Sequence, residues 1–352
     1  MLDITKIDKN FAVDKNVARE GMVFYNPLEA PFSLHGIIRG ENCFYRMPPD
    51  IAKTVSPSVD WLNYNTAGGR IRFATSSPYV AIFVKYKSVS KMPHFAFCGS
   101  IGFDLYADNL YIGTFQPRVD TTDTLESIVN IPGEGMRDIT LNFPLYSSVS
   151  EIYLGLDKDA TVGAAKPYSN EKPIVYYGSS ITQGGCASRP GNSYEAMISR
   201  KYNVDHRNFG FSGNCKGEAV LARYFSELDI SVFVCDYDHN TPNAEHLEAT
   251  YFPFYEEFRK KQPNTPYIMV TRTDCLWNAP AYVERCRDII HNAYLKAKEQ
   301  GDENVYFIDG GNIFAGEQRG SCVVDGGHPT DIGFLRMSEV IGALVGKLLE
   351  NK

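Results

Sequence analysis

The sequence predicts two domains of different fold class. We expect an all-β sandwich or jelly roll over residues 1–168, followed over residues 169–352 by an α/β domain with three layers and a doubly wound, parallel sheet of five strands. The length of 352 residues is enough for two domains, since a domain takes roughly 150 residues. The apolar pattern also changes near residue 170, from short β-rich runs to alternating strands and helices.

The first half consists of short runs rich in aromatic and β-branched residues. These runs lie at Ile71–Tyr86, Phe95–Phe115, Ile139–Phe143 and Ile152–Leu156, and glycine, proline and asparagine separate them. Helical periodicity is almost absent. Short strands with turn residues at intervals are typical of a β-sandwich.

The second half alternates between apolar strands and amphipathic helices, after a linker rich in proline, glycine and alanine at Ala160–Pro173. The predicted strands are Ile174–Tyr177, Arg207–Phe209, Ile230–Cys235, Tyr267–Val270 and Val305–Ile308. The predicted helices are Tyr194–Tyr202, Gly217–Leu228, Ala244–Lys261, Ala281–Glu299 and Thr330–Glu350. Five apolar strands separated by helices predict a parallel sheet covered on both faces.

Composition and charge exclude several classes of function. A formal net charge of −7 argues against nucleic acid or an anionic membrane as a partner.

The charged first residues lack the apolar core of a signal peptide, and no run reaches the ~18 apolar residues of a membrane span. The eight cysteines have no metal-ligand spacing, so we expect free thiols in a cytoplasmic protein.

Candidate catalytic residues follow the ends of the predicted strands. Ser180 comes after the first strand of the second half, Gly213 after the second and Asn240 after the third, whereas Asp325 and His328 precede the last helix. Ligands bind at the carboxyl ends of the strands in an open parallel sheet. Acyl transfer needs a nucleophile, an oriented base and oxyanion donors. A spacing of three lets the Asp325 carboxylate reach one ring nitrogen of His328 while the other nitrogen faces a serine.

These segments resemble the conserved blocks of the SGNH (GDSL-like) hydrolases. GSSIT at Gly178–Thr182 resembles the GDS(L) block, with Ser179 where the family usually has aspartate. Gly213 in GFSGN, Asn240 in DYDHN and the DxxH motif Asp325–His328 follow in the family's order. The resemblance implies a flavodoxin-like second domain. The first half is also similar to the β-sandwich that precedes the hydrolase domain in some of these proteins.

The resemblance assigns roles to individual residues. Ser180 matches the nucleophile, His328 the base and Asp325 the residue that orients the base, although some members pair their histidine with a backbone carbonyl instead. The N–H groups of Ser180 and Gly213 and the side-chain amide of Asn240 match the oxyanion hole. No cofactor is implied. A metal is not expected either, because His239 with its neighbouring aspartates does not supply three convergent ligands.

The function implied is that of a serine esterase, a GDSL-like acylhydrolase. We expect it to act on small acyl esters, most of all on acetyl esters of carbohydrates, so that its partner is a small-molecule or oligosaccharide ester. Trp277 and Arg189 are candidate substrate contacts. Two other functions fit the same residues, an acyltransferase and a carbohydrate-binding protein without catalysis. The sequence does not indicate an oligomeric state.

Overall fold

A computed structural model describes residues 17–273 and 281–350 of the chain. These residues form two compact units. The first unit contains residues 17–46, 64–167 and 188–191. The second contains residues 47–63, 168–187, 192–273 and 281–350. The single division predicted at residue 168 therefore does not describe the segments 47–63 and 188–191.

The described residues 17–167 are dominated by strands, with three short helices. In chain order they contain β1 Met22–Tyr25, β2 Ser33–His35, β3 Ile38–Arg39, β4 Phe44–Tyr45, α1 Pro49–Val55, α2 Pro57–Asn63, β5 Arg70–Thr75, β6 Tyr79–Ser88, α3 Phe97–Ser100, β7 Phe103–Ala107, β8 Leu110–Phe115, β9 Thr124–Asn130, β10 Arg137–Asn142, β11 Ser148–Asp157 and β12 Val162–Gly163.

The first unit is an antiparallel β-sandwich, as predicted. One sheet has the strand order β1-β11-β6-β9, and the other has β12-β5-β10-β7-β8 with β2 added on β5. A single apolar core contains side chains of both sheets, such as Ile82 and Leu154 from the first and Phe73 and Leu141 from the second. Burial of apolar area between two sheets is the main stabilising contribution in such a fold.

Strand β6 shows why its run of apolar residues is continuous rather than alternating. Its even positions Val80, Ile82 and Val84 lie in the core between the sheets. Its odd positions Ala81 and Phe83 pack in a second cluster on the other face of the same strand. Both faces are covered, so every position from Tyr79 to Val84 is apolar.

Helices α1 and α2 are a difference from the sequence prediction, which found almost no helix in the first half. They pack in the core of the second unit, to which Ala52 and Val59 contribute fully buried side chains. The Asn63 side chain accepts from Met47 N at 2.9 Å and donates to Met47 O at 2.8 Å. These two hydrogen bonds close the segment into a helical hairpin.

The second unit continues with alternating strands and helices. In chain order these are β13 Asn170–Gly178, α4 Tyr194–Tyr202, β14 Val204–Gly210, α5 Ala219–Ser226, β15 Val232–Asp236, α6 Ala244–Arg259, β16 Tyr267–Val270, α7 Ala281–Glu299, β17 Val305–Ile308 and α8 Asp331–Glu350. Ser193 caps α4 and Asn243 caps α6, each with a side-chain oxygen that accepts a backbone N–H of the first turn.

The sheet of this unit is fully parallel and has the order β14-β13-β15-β16-β17. The chain first adds β14 on one side of β13 and then crosses to β15 on the other side. Its direction of winding therefore reverses between β13 and β15, which is the switch point where ligands bind in doubly wound folds.

Helices cover both faces of this sheet. Val175 and Tyr177 of β13 share a core with residues of α5, α6 and α7 on one face. On the other face, the ring of Tyr176 meets Tyr194 of α4 edge to face, with the centroids 5.4 Å apart, and α8 packs against α4 and β15. The predicted fold class, a parallel five-stranded α/β domain preceded by a β-rich domain, is confirmed.

The helices and the cysteines of the described residues bear on two expectations from the sequence, that of no membrane span and that of free thiols. Within residues 17–273 and 281–350, none of the helices combines the length and the apolar character that a membrane crossing requires. The cysteines in the described part of the chain, Cys43, Cys98, Cys186, Cys215, Cys235, Cys286 and Cys322, are free thiols.

Candidate active site

Ser180 lies two residues beyond the carboxyl end of β13, at the switch point of the sheet. The loop turns sharply because Ser179 Oγ accepts a hydrogen bond from Ile181 N at 3.1 Å and Ser180 O accepts one from Gly185 N at 2.8 Å. The turn begins at Gly178, where a Cβ atom would lie 2.0 Å from Thr182 Oγ1. Only glycine fits at such a close approach.

The structure brings Ser180, His328 and Asp325 together in one chain of hydrogen bonds. Ser180 Oγ lies 2.9 Å from His328 Nε2. His328 Nδ1 lies 2.8 Å from Asp325 Oδ2. A proton on Nδ1 faces the carboxylate, so Nε2 is left as the acceptor for the serine hydroxyl. This is the arrangement that activates a serine nucleophile.

The loop that carries Asp325 and His328 is closed by backbone hydrogen bonds. Val324 N donates to His328 O at 2.9 Å, and Thr330 N donates to Cys322 O at 2.8 Å. Gly326 has a φ of +89°, in the left-handed region that favours glycine. The loop therefore fixes the two catalytic candidates relative to each other before any substrate binds.

Asp325 is held in its charged form. Partial burial acts to raise its pKa, but hydrogen bonds from His328 N, the His328 ring and Gly327 N outweigh burial and lower the pKa to about 2. The backbone donors lie 2.8 Å and 3.1 Å from Asp325 Oδ1. An ionised carboxylate here stabilises the imidazolium that forms when His328 takes a proton.

Cys186 provides a second nucleophilic group near His328. Its sulfur lies within 4.8 Å of a ring nitrogen of His328. Burial, followed by the charge of Asp325, raises the pKa of Cys186 to about 12. Because the thiolate is the reactive form, the raised pKa disfavours Cys186 as a nucleophile, and Ser180 remains the nucleophile that the geometry favours.

Gly213 and Asn240 lie side by side, as the sequence order suggests, but they bond to each other. Gly213 N donates to Asn240 Oδ1 at 3.1 Å, and Asn240 Nδ2 donates to Phe211 O at 3.0 Å. The amide of Asn240 thus spans the turn that contains Gly213. An Nδ2 group carries two hydrogens, so one remains for another acceptor.

Arg189 belongs to the first unit, where it forms an ion pair with a buried carboxylate. Its Nη1 lies 3.0 Å from Asp104 Oδ2, and the Asp104 side chain is fully buried. The guanidinium also lies 3.9 Å from the centroid of the Tyr111 ring. These contacts give Arg189 a structural role, and its contact with substrate stays a prediction. Trp277 lies outside the described residues.

Sequence reasoning did not single out two buried amides beside the nucleophile, Gln183 and Asn208. Both side chains are at most 1% exposed. Gln183 Oε1 accepts from Ser212 N at 3.0 Å, and Asn208 Nδ2 donates to Thr182 O. The sequence carries no local signal for Asn208, which lies between Arg207 and Phe209 in β14.

Both halves of the chain match known protein families. Residues 171–345 match the GDSL-like Lipase/Acylhydrolase family. Residues 22–162 match the N-terminal domain of esterases of the SGNH hydrolase type, named GxDLY. Gly102–Tyr106 reads GFDLY and carries that motif. The chain belongs to the GDSL-like acylhydrolases of the SGNH type, and its enzyme class is ester hydrolase. No curated protein matches it.

Several solved structures share the fold over almost the whole chain. A GDSL-like lipase from Bacteroides ovatus, described as putative, is 27% identical, with a TM-score of 0.83 over 94% of this chain and 98% of its own. A salicylyl-acyltransferase from a tetracycline biosynthetic pathway is 20% identical, with a TM-score of 0.75 over 93% and 99%. An acetyl xylan esterase from Butyrivibrio proteoclasticus is 12% identical, with a TM-score of 0.62 over 94% and 99%.

Proposed function

We propose that the protein is a serine esterase that removes small acyl groups, most of all acetyl groups, from carbohydrates. The observation that carries the catalytic part is the continuous hydrogen-bond chain from Ser180 Oγ through His328 to Asp325, with links of 2.9 Å and 2.8 Å. Both links are within the range that general-base activation of a hydroxyl requires.

In the first half of the proposed reaction, the hydroxyl of Ser180 attacks the acyl carbon. The O–H proton moves to His328 Nε2 as the new C–O bond forms, and the π electrons of the carbonyl move to its oxygen. The bond to the leaving alcohol then breaks, and the alkoxide takes the proton from His328 Nε2. An acyl group on Ser180 and a free alcohol result.

In the second half, water replaces the alcohol. His328 takes a proton from water, whose oxygen attacks the acyl carbon, and the ester bond to Ser180 breaks. Ser180 Oγ recovers its proton from His328, and the carboxylic acid leaves. The Asp325 carboxylate stays charged throughout, because its pKa of about 2 lies far below neutral pH.

The oxyanion of both tetrahedral intermediates needs hydrogen-bond donors. We assign this role to the N–H of Ser180 and to the second hydrogen of Asn240 Nδ2. Gly213 N contributes when it exchanges its bond to Asn240 Oδ1 for one to the oxyanion. In the structure these two atoms are hydrogen-bonded at 3.1 Å.

The carbohydrate part of the proposal rests on similarity of fold. Solved structures with this two-domain architecture include the acetyl xylan esterase and a family two carbohydrate esterase from Clostridium thermocellum that was crystallised with cellohexaose. A net charge of −7 is consistent with a neutral saccharide ester and disfavours polyanionic partners.

Release of acetate from acetylated xylo-, manno- and gluco-oligosaccharides tests the proposal. We expect wild-type protein to release acetate from at least one of the three series, and Ser180→Ala to lose at least about 10³-fold in rate, since the serine carries the covalent step. Glu256→Gln, a change of an exposed side chain on α6, serves as the control. Equal rates for wild type and Ser180→Ala would refute the proposal.

The same assay separates the two rival functions. With an alcohol acceptor added, an acyltransferase forms an acylated acceptor in preference to free acetate. A saccharide-binding protein without catalysis binds the sugars but releases nothing from any acetylated series. The esterase proposal requires free acetate as the main product in both the presence and the absence of the acceptor.

A further inference from the structure

The segment Phe211–Asn214, which we call the oxyanion turn, is a hydrogen-bonded β-turn. Asn214 N donates to Phe211 O at 2.9 Å, which closes the turn. Gly213, at the third position, has a φ of +70°, whereas Ser212 keeps a negative φ. This combination is that of a type II turn, which needs glycine at its third position.

Side-chain amides hold both central peptide planes of the oxyanion turn. Asn240 bonds to Phe211 O and to Gly213 N. Ser212 O accepts from Asn214 Nδ2 at 2.7 Å. The one remaining polar group of these planes is Ser212 N, and it donates to Gln183 Oε1 at 3.0 Å. Gln183 therefore helps to fix the position of the turn, and with it the positions of Gly213 N and of the Asn240 amide that is bonded to the turn.

The loop of residues 178–185, which we call the nucleophile loop, carries Ser180, and Gln183 lies in it three residues further on. Its side chain is fully buried, and its own N–H donates to Ser179 O at 3.0 Å. Since Ser180 lies inside this hydrogen-bonded turn, Gln183 has a fixed position relative to the nucleophile. One side chain thus connects the loop that carries the nucleophile with the turn that carries an oxyanion donor.

The two segments are also in close backbone contact, which leaves little room for movement. A Cβ atom on Gly210 would lie 2.1 Å from Gln183 N. Asn208 donates to Thr182 O and accepts from Gly210 N at 2.9 Å. The hydrogen bond from Ser212 N to Gln183 consequently sets the orientation of the turn within an already tight contact.

We infer that Gln183 is a positioning residue, which fixes the oxyanion turn relative to Ser180 without contacting substrate. The inference rests on the proposed esterase function. Preorganised donors contribute to the rate only when they point at the oxyanion position, and a displacement of about 1 Å can cost about 10²-fold. Loss of the Gln183 contact thus lowers kcat and leaves KM largely unchanged, because the contact matters in the transition state.

Gln183→Met tests the inference, because methionine has a similar length but no acceptor oxygen for Ser212 N. We expect kcat to fall about 10- to 100-fold with p-nitrophenyl acetate, with KM within about twofold of wild type. Gln262→Met is the matched control. Gln262 donates to Ser226 O and Leu228 O and lies ahead of β16, away from the carboxyl ends of the strands. Its loss lowers the melting temperature without the fall in kcat.

A second pair of variants removes the donor instead of the acceptor. Ser212→Pro lacks the N–H and places its ring Cδ against Gln183 Oε1, so it removes the hydrogen bond and displaces the Gln183 side chain. Proline fits the second position of a type II turn. Ser212→Ala keeps the N–H and is the reference. We expect kcat of Ser212→Pro to fall about 10- to 100-fold below that of Ser212→Ala. This pair decides the question if Gln183→Met does not fold, as shown by its melting curve.

The outcomes separate this inference from the proposed function. If Ser180→Ala is inactive but Gln183→Met, or Ser212→Pro relative to Ser212→Ala, keeps kcat within about twofold, then the esterase stands and Gln183 is only part of the core. If folded Gln183→Met raises KM at unchanged kcat, Gln183 acts on substrate binding and the inference is wrong. If Ser180→Ala is fully active, the proposed function itself is wrong.

Discussion

Two carboxyl groups in the same α/β unit have opposite charge states. Asp325 lies in the loop before α8, with its side chain 37% exposed. Glu195 lies on α4 and is fully buried. Hydrogen bonds lower the pKa of Asp325 to about 2 despite its partial burial, whereas burial raises the pKa of Glu195 to about 8. The loop around Asp325 stabilises the charged carboxylate, whereas the buried surroundings of Glu195 favour the neutral carboxylic acid.

The buried region around Glu195 includes Asp236, which contacts Thr182 of the nucleophile loop. Asp236, the last residue of β15, is 2% exposed, and its pKa is raised well above the usual value by burial, followed by the charges of Asp238 and Glu195. Thr182 of the nucleophile loop lies 3.5 Å from Asp236 through their side-chain oxygens. Burial also raises the pKa of Tyr176, which faces Glu195.

The comparison teaches that the balance between burial and hydrogen bonding, and not the residue type, sets the charge state of a carboxyl group. Asp325 has three donors from two residues of one tight loop. Around Glu195, the opposing contributions of its own N–H and of Ser193 and Tyr194 are smaller than the desolvation. A carboxyl group that is neutral cannot stabilise an imidazolium.

Removal of the charge at Asp325 has the largest expected effect. Asp325→Asn presents an amide to His328 Nδ1, which favours the wrong tautomer, and comparable changes in serine hydrolases lower kcat about 10⁴-fold. The variant's kcat with p-nitrophenyl acetate at neutral pH measures this. Asp288→Asn, which alters an exposed aspartate on α7, is the control. A loss below about tenfold would mean that Asp325 does not orient His328.

A smaller effect is expected from removal of the Glu195 carboxyl group, and it is a gain in stability rather than a loss of activity. Its folded-state pKa of about 8 lies above the ordinary 4.5, so the folded state binds more protons than the unfolded state. Stability therefore falls as pH rises from about 4.5 to about 8 and levels off above that. Glu195→Gln removes this loss, which corresponds to roughly 5 kcal/mol at full ionisation.

Thermal melts of Glu195→Gln and wild type at pH 5 and pH 9 measure the effect. We expect the melting temperature of the variant, relative to that of wild type, to rise by on the order of 10 °C from pH 5 to pH 9, because about 1 kcal/mol shifts the melting temperature by about 2–4 °C in a domain of this size. Glu256→Gln on α6, where the side chain is exposed, should show no such gain. The same difference at both pH values would contradict the assignment.

The sequence was sufficient for the fold class because each half has a local pattern. The five parallel strands appear as short apolar runs between helices. The helices α1 and α2 were missed, since their burial depends on a core that they share with Leu221 and Phe225, more than 150 residues further along the chain. The prolines at the starts of both helices were the available local signal.

The site was predictable to the same extent. The order of Ser180, Gly213, Asn240 and His328 along the chain predicts that they meet, and the structure pairs Ser180 with His328 and Gly213 with Asn240. The order along the chain did not show that Gly213 and Asn240 bond to each other. Hydrogen-bond partners depend on side-chain direction within a few tenths of an ångström, which spacing along the chain does not encode.

The central claim is that Ser180 is the nucleophile activated by His328. Treatment with a fluorophosphonate, followed by mass spectrometry of the digested protein, tests it most directly. We predict a single adduct on Ser180 that forms in step with the loss of esterase activity and is absent from His328→Ala. Loss of activity with an adduct on another residue, or full activity with Ser180 modified, would contradict the account.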